Sequence, residues 1–461
     1  MRGARRVSHT IHALASGTLP AGVAVIRVSG SLVPSLVTDW IGRPLAPRTA
    51  ALVMLRDENG GVLDEALALH FPAPRSFTGE DVLELHCHGG PAVVRAVERR
   101  LAELGSRVAE PGEFTMRAHA NGRIDLMEAE RLGDLIAAET EAERALATSD
   151  AGRRNAALYE GWRLALLEAR ALLEASIDFA DEEDAPLDVS AEVATTLDAT
   201  RAAIAEHLAR APVATIVRHG LRVVLAGAPN AGKSSLLNAL AGSQAAIVTD
   251  VPGTTRDALD VPLDVGGRKV IVTDVAGLRE TDDAVERIGV ERARERIAGA
   301  DLVLHCVPGD ALADAPSAVP SLGVRPMAER ARVVRLLTKA DLATEGRAAT
   351  AEIGIGGGDG RSGTPPQISV SARTGEGMDD LLALLAARAA EATAPATEAP
   401  LTERHAGHLA RALDHLDLAA LPPEIVTERV RLAAGEIGRI TGATNIEDVY
   451  GTIFSRFCMG K

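Results

Sequence analysis

The chain has 461 residues, 46% of them hydrophobic, and a net charge of −15 from 49 Lys and Arg against 64 Asp and Glu. That length predicts two to four domains rather than one core, and the acidic balance excludes a general polyanion-binding surface, because phosphate backbones are held largely by Lys and Arg that release counterions; DNA is not an expected partner, and any RNA contact must be local. Aromatics at 2% are too few for a base-stacking platform, no apolar run reaches membrane-spanning length and no secretory h-region follows the basic opening, and scattered Cys87, Cys306 and Cys458 suit a reducing, cytoplasmic setting.

Strand-like runs "GVAVIRVSG", "EALALHF" and "DVLELHC" alternate with a helical stretch from Pro91 to Glu103, which predicts an α+β domain over 1–124. Within it, "HCH" at His86 to His88 invites a zinc reading. Consecutive strand residues point to opposite faces, so the three do not converge on one metal. From Asp125 the period becomes helical: Leu158, Trp162, Leu166, Ala169, Leu173 and Ile177, then Val193, Leu197, Ile204 and Leu208, read as bundle core over 125–217. At Leu221 five apolar strand candidates begin, "RVVLAG", "KVIVTDVAG", "DLVLHCV", "RVVRLLTKAD" and "ISVSA", separated by helix-like segments. This alternation predicts a parallel sheet with helices on both faces over 218–387. Residues 343–366 read as an exposed loop, and the Ala/Pro-rich stretch after Ala383 as a linker. Helical spacing returns in Leu409, Leu413 and Leu416, then in Val426, Val430, Ile437 and Ile440, over 388–461. The predicted fold class is multidomain, α/β and α: an α+β front domain and a helical bundle in two halves, with an α/β domain inserted between them.

"GAPNAGKSS" follows the strand Arg222 to Ala226 and opens the helix-like "SLLNALAG". This is G-x4-G-K-S in the context the motif needs. Glycines turn backbone N–H groups toward phosphate, Lys233 reaches the outer phosphates, and the Ser234 hydroxyl ligates Mg²⁺. The cradle comprises Asn230, Ala231, Gly232, Lys233, Ser234 and Ser235. Asp274 in "DVAG" ends a hydrophobic strand, where a carboxylate can hold Mg²⁺ through water and Gly277 can meet the outer phosphate. "TKAD" (Thr338, Lys339, Asp341) and "SAR" (Ser371, Ala372, Arg373) end later strands, on the edge where doubly wound sheets bind ligands. Asp341 can accept from guanine N1–H and the exocyclic amine, a donor pair adenine lacks, which favours GTP.

The order G-x4-GKS, G-T-T, D-x-x-G, x-K-x-D, S-A-x resembles the TRAFAC class of GTPases, which implies a Ras-like P-loop G domain. Thr338 stands where that class usually has Asn; its single oxygen and shorter reach predict weaker or less selective guanine binding. Ras-like enzymes orient water with a Gln after this motif and take about 10³ to 10⁵ in rate from an arginine finger; here Leu278 follows Gly277, so that Gln is absent.

"AAIVTDVPGTTRD", "DVAGLRETDDAVERIG", "FTGEDVLELHCHGGP", "PGEFTMRAHANGRIDLMEAE", "IDFADEEDAP" and the closing "FCMGK" resemble the MnmE (TrmE) family of tRNA-modification GTPases over nearly the whole chain. The resemblance implies a K⁺-stimulated GTPase. Asn230 and carbonyls of Thr249, Val251 and Thr254 would hold K⁺, where a monovalent cation offsets charge developing between the β- and γ-phosphates. Thr255 would meet Mg²⁺ and the γ-phosphate, and Glu286 would position the attacking water through a second one. It further implies a front domain that dimerises and binds a reduced folate, 5-formyl-tetrahydrofolate or a relative, through Arg27, Glu84, Arg123 and Lys461. Cys458 would face the one-carbon unit, as a nucleophile or as a positioning group, and Gly460 would allow a tight approach of the tail. The implied partners are tRNA and an FAD-dependent MnmG-type protein, with an aminomethyl-type group added at C5 of the wobble uridine. Two other readings use the same G motifs: a ribosome-assembly GTPase, and a switch that binds GTP without hydrolysing it.

Overall fold

The computed structural model describes residues 9–178, 190–247, 260–274, 296–309, 332–342, 367–394, 399, 402–443 and 460. The chain divides into two compact units: Met1–Ile136 with Gly152–Thr200 and Arg411–Lys461, and Ala137–Ala151 with Arg201–Ala410. Among the described residues no helix is long and apolar enough to cross a membrane.

In the first unit, β1 (Ile11–Leu14), β2 (Ala21–Ser29), β3 (Ala51–Arg56), β4 (Val62–Phe71), β5 (Val82–Gly89) and β6 (Arg107–Val108) form one sheet in the order β3-β4-β5-β2-β1-β6. Its pairs are antiparallel except β1 with β6. Alternation assigns the two faces. Ala24, Ile26 and Val28 of β2 join Leu83, Leu85 and Cys87 of β5 in a core with Val94, Val97 and Leu101 of the helix Pro91–Glu103. Arg27, Glu84 and His86 therefore stand on the other face. Burial, with Asp64 nearby, pushes the Cys87 thiol up to about 12, so it is an inert core group.

Beside the sheet, the helix Glu113–Ala120 carries Arg117, whose side chain is only 2% exposed. Its guanidinium donates to Glu80 (3.0 Å), Glu113 (2.9 Å) and the His9 carbonyl (2.8 Å), and Arg107 adds a fork to Glu113. Burial alone would raise the Glu113 carboxyl. Hydrogen bonds from Arg107, the Glu110 amide and Arg117 outweigh it and hold the group below the usual range. The helix Ala151–Asp178 buries Tyr159, Trp162, Leu166 and Ala169. Leu158, expected in that core, is exposed; it lies one position off the three- and four-residue row that starts at Tyr159. Arg411 of the helix Glu403–His415 donates to Glu436 of Pro423–Thr441 at 2.7 Å.

The second unit's sheet runs β12-β11-β10-β7-β9-β8, with β7 (Leu221–Ala226), β8 (Asp260–Val265), β9 (Arg268–Asp274), β10 (Leu302–Pro308), β11 (Arg332–Thr338) and β12 (Gln367–Ser369). The five strands read from sequence are β7 and β9 to β12, and they are parallel. A sixth was missed: β8 pairs antiparallel with β9 through the tight turn at Gly266 and Gly267, so the sheet is mixed. The Gly-Gly pair was its signal, since both positions take a positive φ. The linker expected after Ala383 is helical as far as Thr393, because Met378–Thr393 is alanine-rich and alanine favours helix most strongly. On the hairpin tip sits the helix Glu141–Thr148, whose Ala142 N–H donates to the Gly267 carbonyl at 2.8 Å. Lys269 reinforces that seat with an ion pair to Glu139. The loop expected over 343–366 lies outside the described residues.

Candidate functional site

The ends of β7, β9, β11 and β12 gather the chemistry of the second unit. After β7 the backbone turns through Gly227, where an added Cβ would lie 2.4 Å from the Cys306 carbonyl. Asn230 takes φ 63° and Gly232 φ 85°; asparagine is one of the few side-chain-bearing residues that tolerates that region. Gly232 then caps the helix Lys233–Ala241, aiming its free N–H groups at the loop. Lys233 is buried and donates through Nζ to the Gly227 and Ala228 carbonyls, both at 2.8 Å. Ser234 Oγ donates to Asp274 Oδ2 at 2.6 Å, joining the loop to the end of β9. These hard oxygens suit Mg²⁺.

At the other end of the cradle, Thr338 closes β11. Its buried hydroxyl donates to the Ala231 carbonyl, with the Val307 carbonyl 3.3 Å away. The threonine thus ties β11 to the phosphate loop. Lys339 takes φ 55° and lies over Gly232. Asp341 follows, its Oδ1 accepting from Ser371 Oγ at 2.7 Å and its Oδ2 paired with Arg373 at 2.6 Å. The Ser371 hydroxyl first, then Arg373, hold the Asp341 carboxyl below the usual range. Gly377 fixes this loop, since an added Cβ there would meet the Ser369 carbonyl at 1.9 Å.

The outer face of the first unit's sheet holds a second cluster. Arg27 on β2 donates through Nε to Glu84 Oε1 on β5 at 2.9 Å, in the register that sets these residues opposite. Its guanidinium lies 5.7 Å from the Phe77 ring centroid and 5.9 Å from that of Phe114, within cation–π range. The same guanidinium donates to the Gly460 carbonyl at 3.4 Å. Gly460 itself is pressed against β1: a Cβ there would lie 2.2 Å from the Leu14 carbonyl. Arg123 stands across the 76–80 loop, its side chain against Gly79.

Comparison with known proteins decides the family. Residues 126–458 match the MnmE helical domain, and residues 10–123 match the N-terminus of the GTP-binding protein TrmE. A tRNA modification GTPase MnmE of Brucella anthropi is 46% identical over 459 residues, spanning 98% of each chain. The chain belongs to the MnmE family. Members bearing the same name in Sinorhizobium medicae and Rhizobium meliloti are 47% and 46% identical over 457 and 456 residues, each alignment covering 98% of this chain and 99% of the relative.

Within this MnmE-family chain, the structure brings together Asn230 to Ser235, Asp274, Thr338, Lys339, Asp341, Ser371 and Arg373 in one unit, and Arg27 with Glu84 in the other. Thr249, Val251, Thr254, Thr255, Gly277, Glu286, Cys458 and Lys461 lie outside the described residues. Sequence reasoning missed Phe77 and Phe114 beneath Arg27, and His86, whose Nε2 is 3.7 Å from Glu84 Oε2. Strand alternation would have placed His86 with Glu84; nothing in the spacing would have found the two rings.

Proposed function

We propose that this chain hydrolyses GTP with Mg²⁺ and K⁺ to drive an aminomethyl-type modification at C5 of the wobble uridine of certain tRNAs, together with an FAD-dependent MnmG-type protein in the cytoplasm. The observation that carries the GTPase reading is the convergence of Lys233, the Ser234–Asp274 pair and Asp341 on one sheet edge. Ser234 and Thr255 would hold Mg²⁺ directly and Asp274 through water, and the ion would neutralise charge on the β- and γ-phosphates. Asn230, strained into a positive φ at the loop's exposed tip, supports its reading as a K⁺ ligand, with carbonyls of Thr249, Val251 and Thr254 as the others. Glu286 would position the attacking water.

Arg27, Glu84, Arg123 and Lys461 would take the reduced folate. A carboxylate matches the amide and amino group of a pterin, and guanidinium groups match the glutamate tail. The docking of Gly460 beside Arg27 supports bringing Cys458 and Lys461 to the same place. Homodimerisation through the front domain is supported by four exposed apolar side chains on the outer sheet face: Val23, Leu52, Met54 and Leu67, each at least 40% exposed.

Phosphate release measured in K⁺ and in Na⁺ tests the catalytic half. Turnover that rises in K⁺ is expected, and equally negligible rates in both would leave a GTP-binding switch. Nucleoside analysis of tRNA from cells lacking the protein tests the other half: unmodified wobble uridine is expected, and normal modification with ribosomal subunits as the captured partner would point to ribosome assembly.

A further inference from the structure

Asp341 is assigned to read guanine, yet both its oxygens already have partners: Ser371 Oγ at 2.7 Å on Oδ1 and Arg373 at 2.6 Å on Oδ2. The two partners differ in kind. Ser371 is fully buried, and its oxygen also accepts from the Thr374 amide, so it is part of the loop's frame. Arg373 is 74% exposed while the Asp341 carboxylate it covers is 12% exposed. A guanine that presents N1–H and the exocyclic amine to one carboxylate needs access to both oxygens. The serine supports that arrangement, because it approaches from inside the loop. The guanidinium sits on the solvent side, where a base must arrive.

Thr338 sharpens the dependence. Its hydroxyl proton is committed to the Ala231 carbonyl, so it is not available to the base, and discrimination falls to Asp341. We infer that Arg373 is a specificity-determining gate: it caps Oδ2, the solvent-side member of the two Asp341 oxygens that read the base, by an ion pair that guanine must displace. This rests on the GTP reading above and adds to it the residue that tunes affinity. The exchange trades one partner of Oδ2 for another, so affinity carries the cost of opening the pair and specificity carries the gain of the guanine donors. An exposed pair of this kind accounts for about a two- to fivefold effect, and salt weakens it.

The test is titration of the full-length protein with GDP and with IDP, whose base lacks the exocyclic amine, for the wild type, Arg373→Gln and Arg373→Lys. KCl is held constant while choline chloride sets the ionic strength. Arg373→Gln is expected to bind GDP about two- to fivefold more tightly and to widen the GDP-to-IDP ratio. Its advantage over the wild type should shrink toward unity as ionic strength rises tenfold, and Arg373→Lys should stay near the wild type. Unchanged or weaker GDP binding by Arg373→Gln at low salt overturns the gate. Wild-type protein that binds neither nucleotide would instead remove the guanine reading on which the gate depends.

Discussion

The phosphate cradle and the Arg27 cluster of the front domain are built from different material. The cradle is one contiguous stretch, Gly227 to Ser234, whose bonds to Lys233 come from carbonyls five and six residues away. The Arg27 cluster is assembled over long separations: Arg27 meets the Glu84 side chain 57 residues away and the Gly460 carbonyl 433 residues away. A site made of backbone depends on local glycines and a helix start, whereas a site made of side chains depends on strand register and on a buried frame. The first should tolerate changes elsewhere in the fold; the second should fail when its frame fails.

The strongest way to break that contrast is Arg117→Ala. It strips Glu80 and Glu113 of a buried cation, and should cost about 3–5 kcal/mol of front-domain stability in urea unfolding. Loss of much less would mean that the charge knot is not the frame. Next is pH. His12 is fully buried, bonded through Nδ1 to Ser106 at 2.8 Å, and burial lowers its pKa to about 4. A group depressed from 6.5 to about 4 contributes stability that is present above the unfolded value and lost as pH falls toward the folded one. Melting curves between pH 7 and pH 4 should show a fall of up to about 3 kcal/mol, and His12→Gln should flatten that slope. Arg27→Gln removes the charge shared by Glu84, Phe77 and Phe114. Affinity for 5-formyl-tetrahydrofolate, the proposed ligand of this cluster, read by calorimetry, should drop by about 2 kcal/mol, and an unchanged value would remove Arg27 from that proposal. The smallest effect is expected from Thr338→Val, which leaves the Ala231 carbonyl without its hydroxyl donor and should weaken GDP binding by about 1 kcal/mol. No change would show that the cradle holds its shape without β11.

The same contrast explains what was legible in the sequence. Gly227, Lys233, Ser234, Asp274 and Asp341 stood out because their motifs follow strand-like runs, and the parallel strands bring those ends to one edge of the sheet. The role of Thr338 did not. Its residue type suggested a weakened base contact, and only the placement of Ala231 beside it shows a structural tie. Phe77 comes from a loop and Phe114 from the helix Glu113–Ala120, elements that no periodicity connects, and they come together in one apolar cluster beneath Arg27. The missed strand β8 is a different lesson. Gly266 and Gly267 marked its turn plainly, and Pro262 within the run lowered its strand signal.

The seat of the helix Glu141–Thr148 on the Gly267 carbonyl bears on any effort to isolate the GTP-binding part. Excising residues 218–387 would leave behind the short helix that covers the β8–β9 turn, stripping Lys269 of Glu139. In the intact chain the Ala142 amide becomes a natural spectroscopic sentinel. Its deuterium uptake should stay slow while the hairpin tip holds its shape and accelerate once the tip loosens, reporting on the GTP-binding half from a residue that lies well before it in the polypeptide.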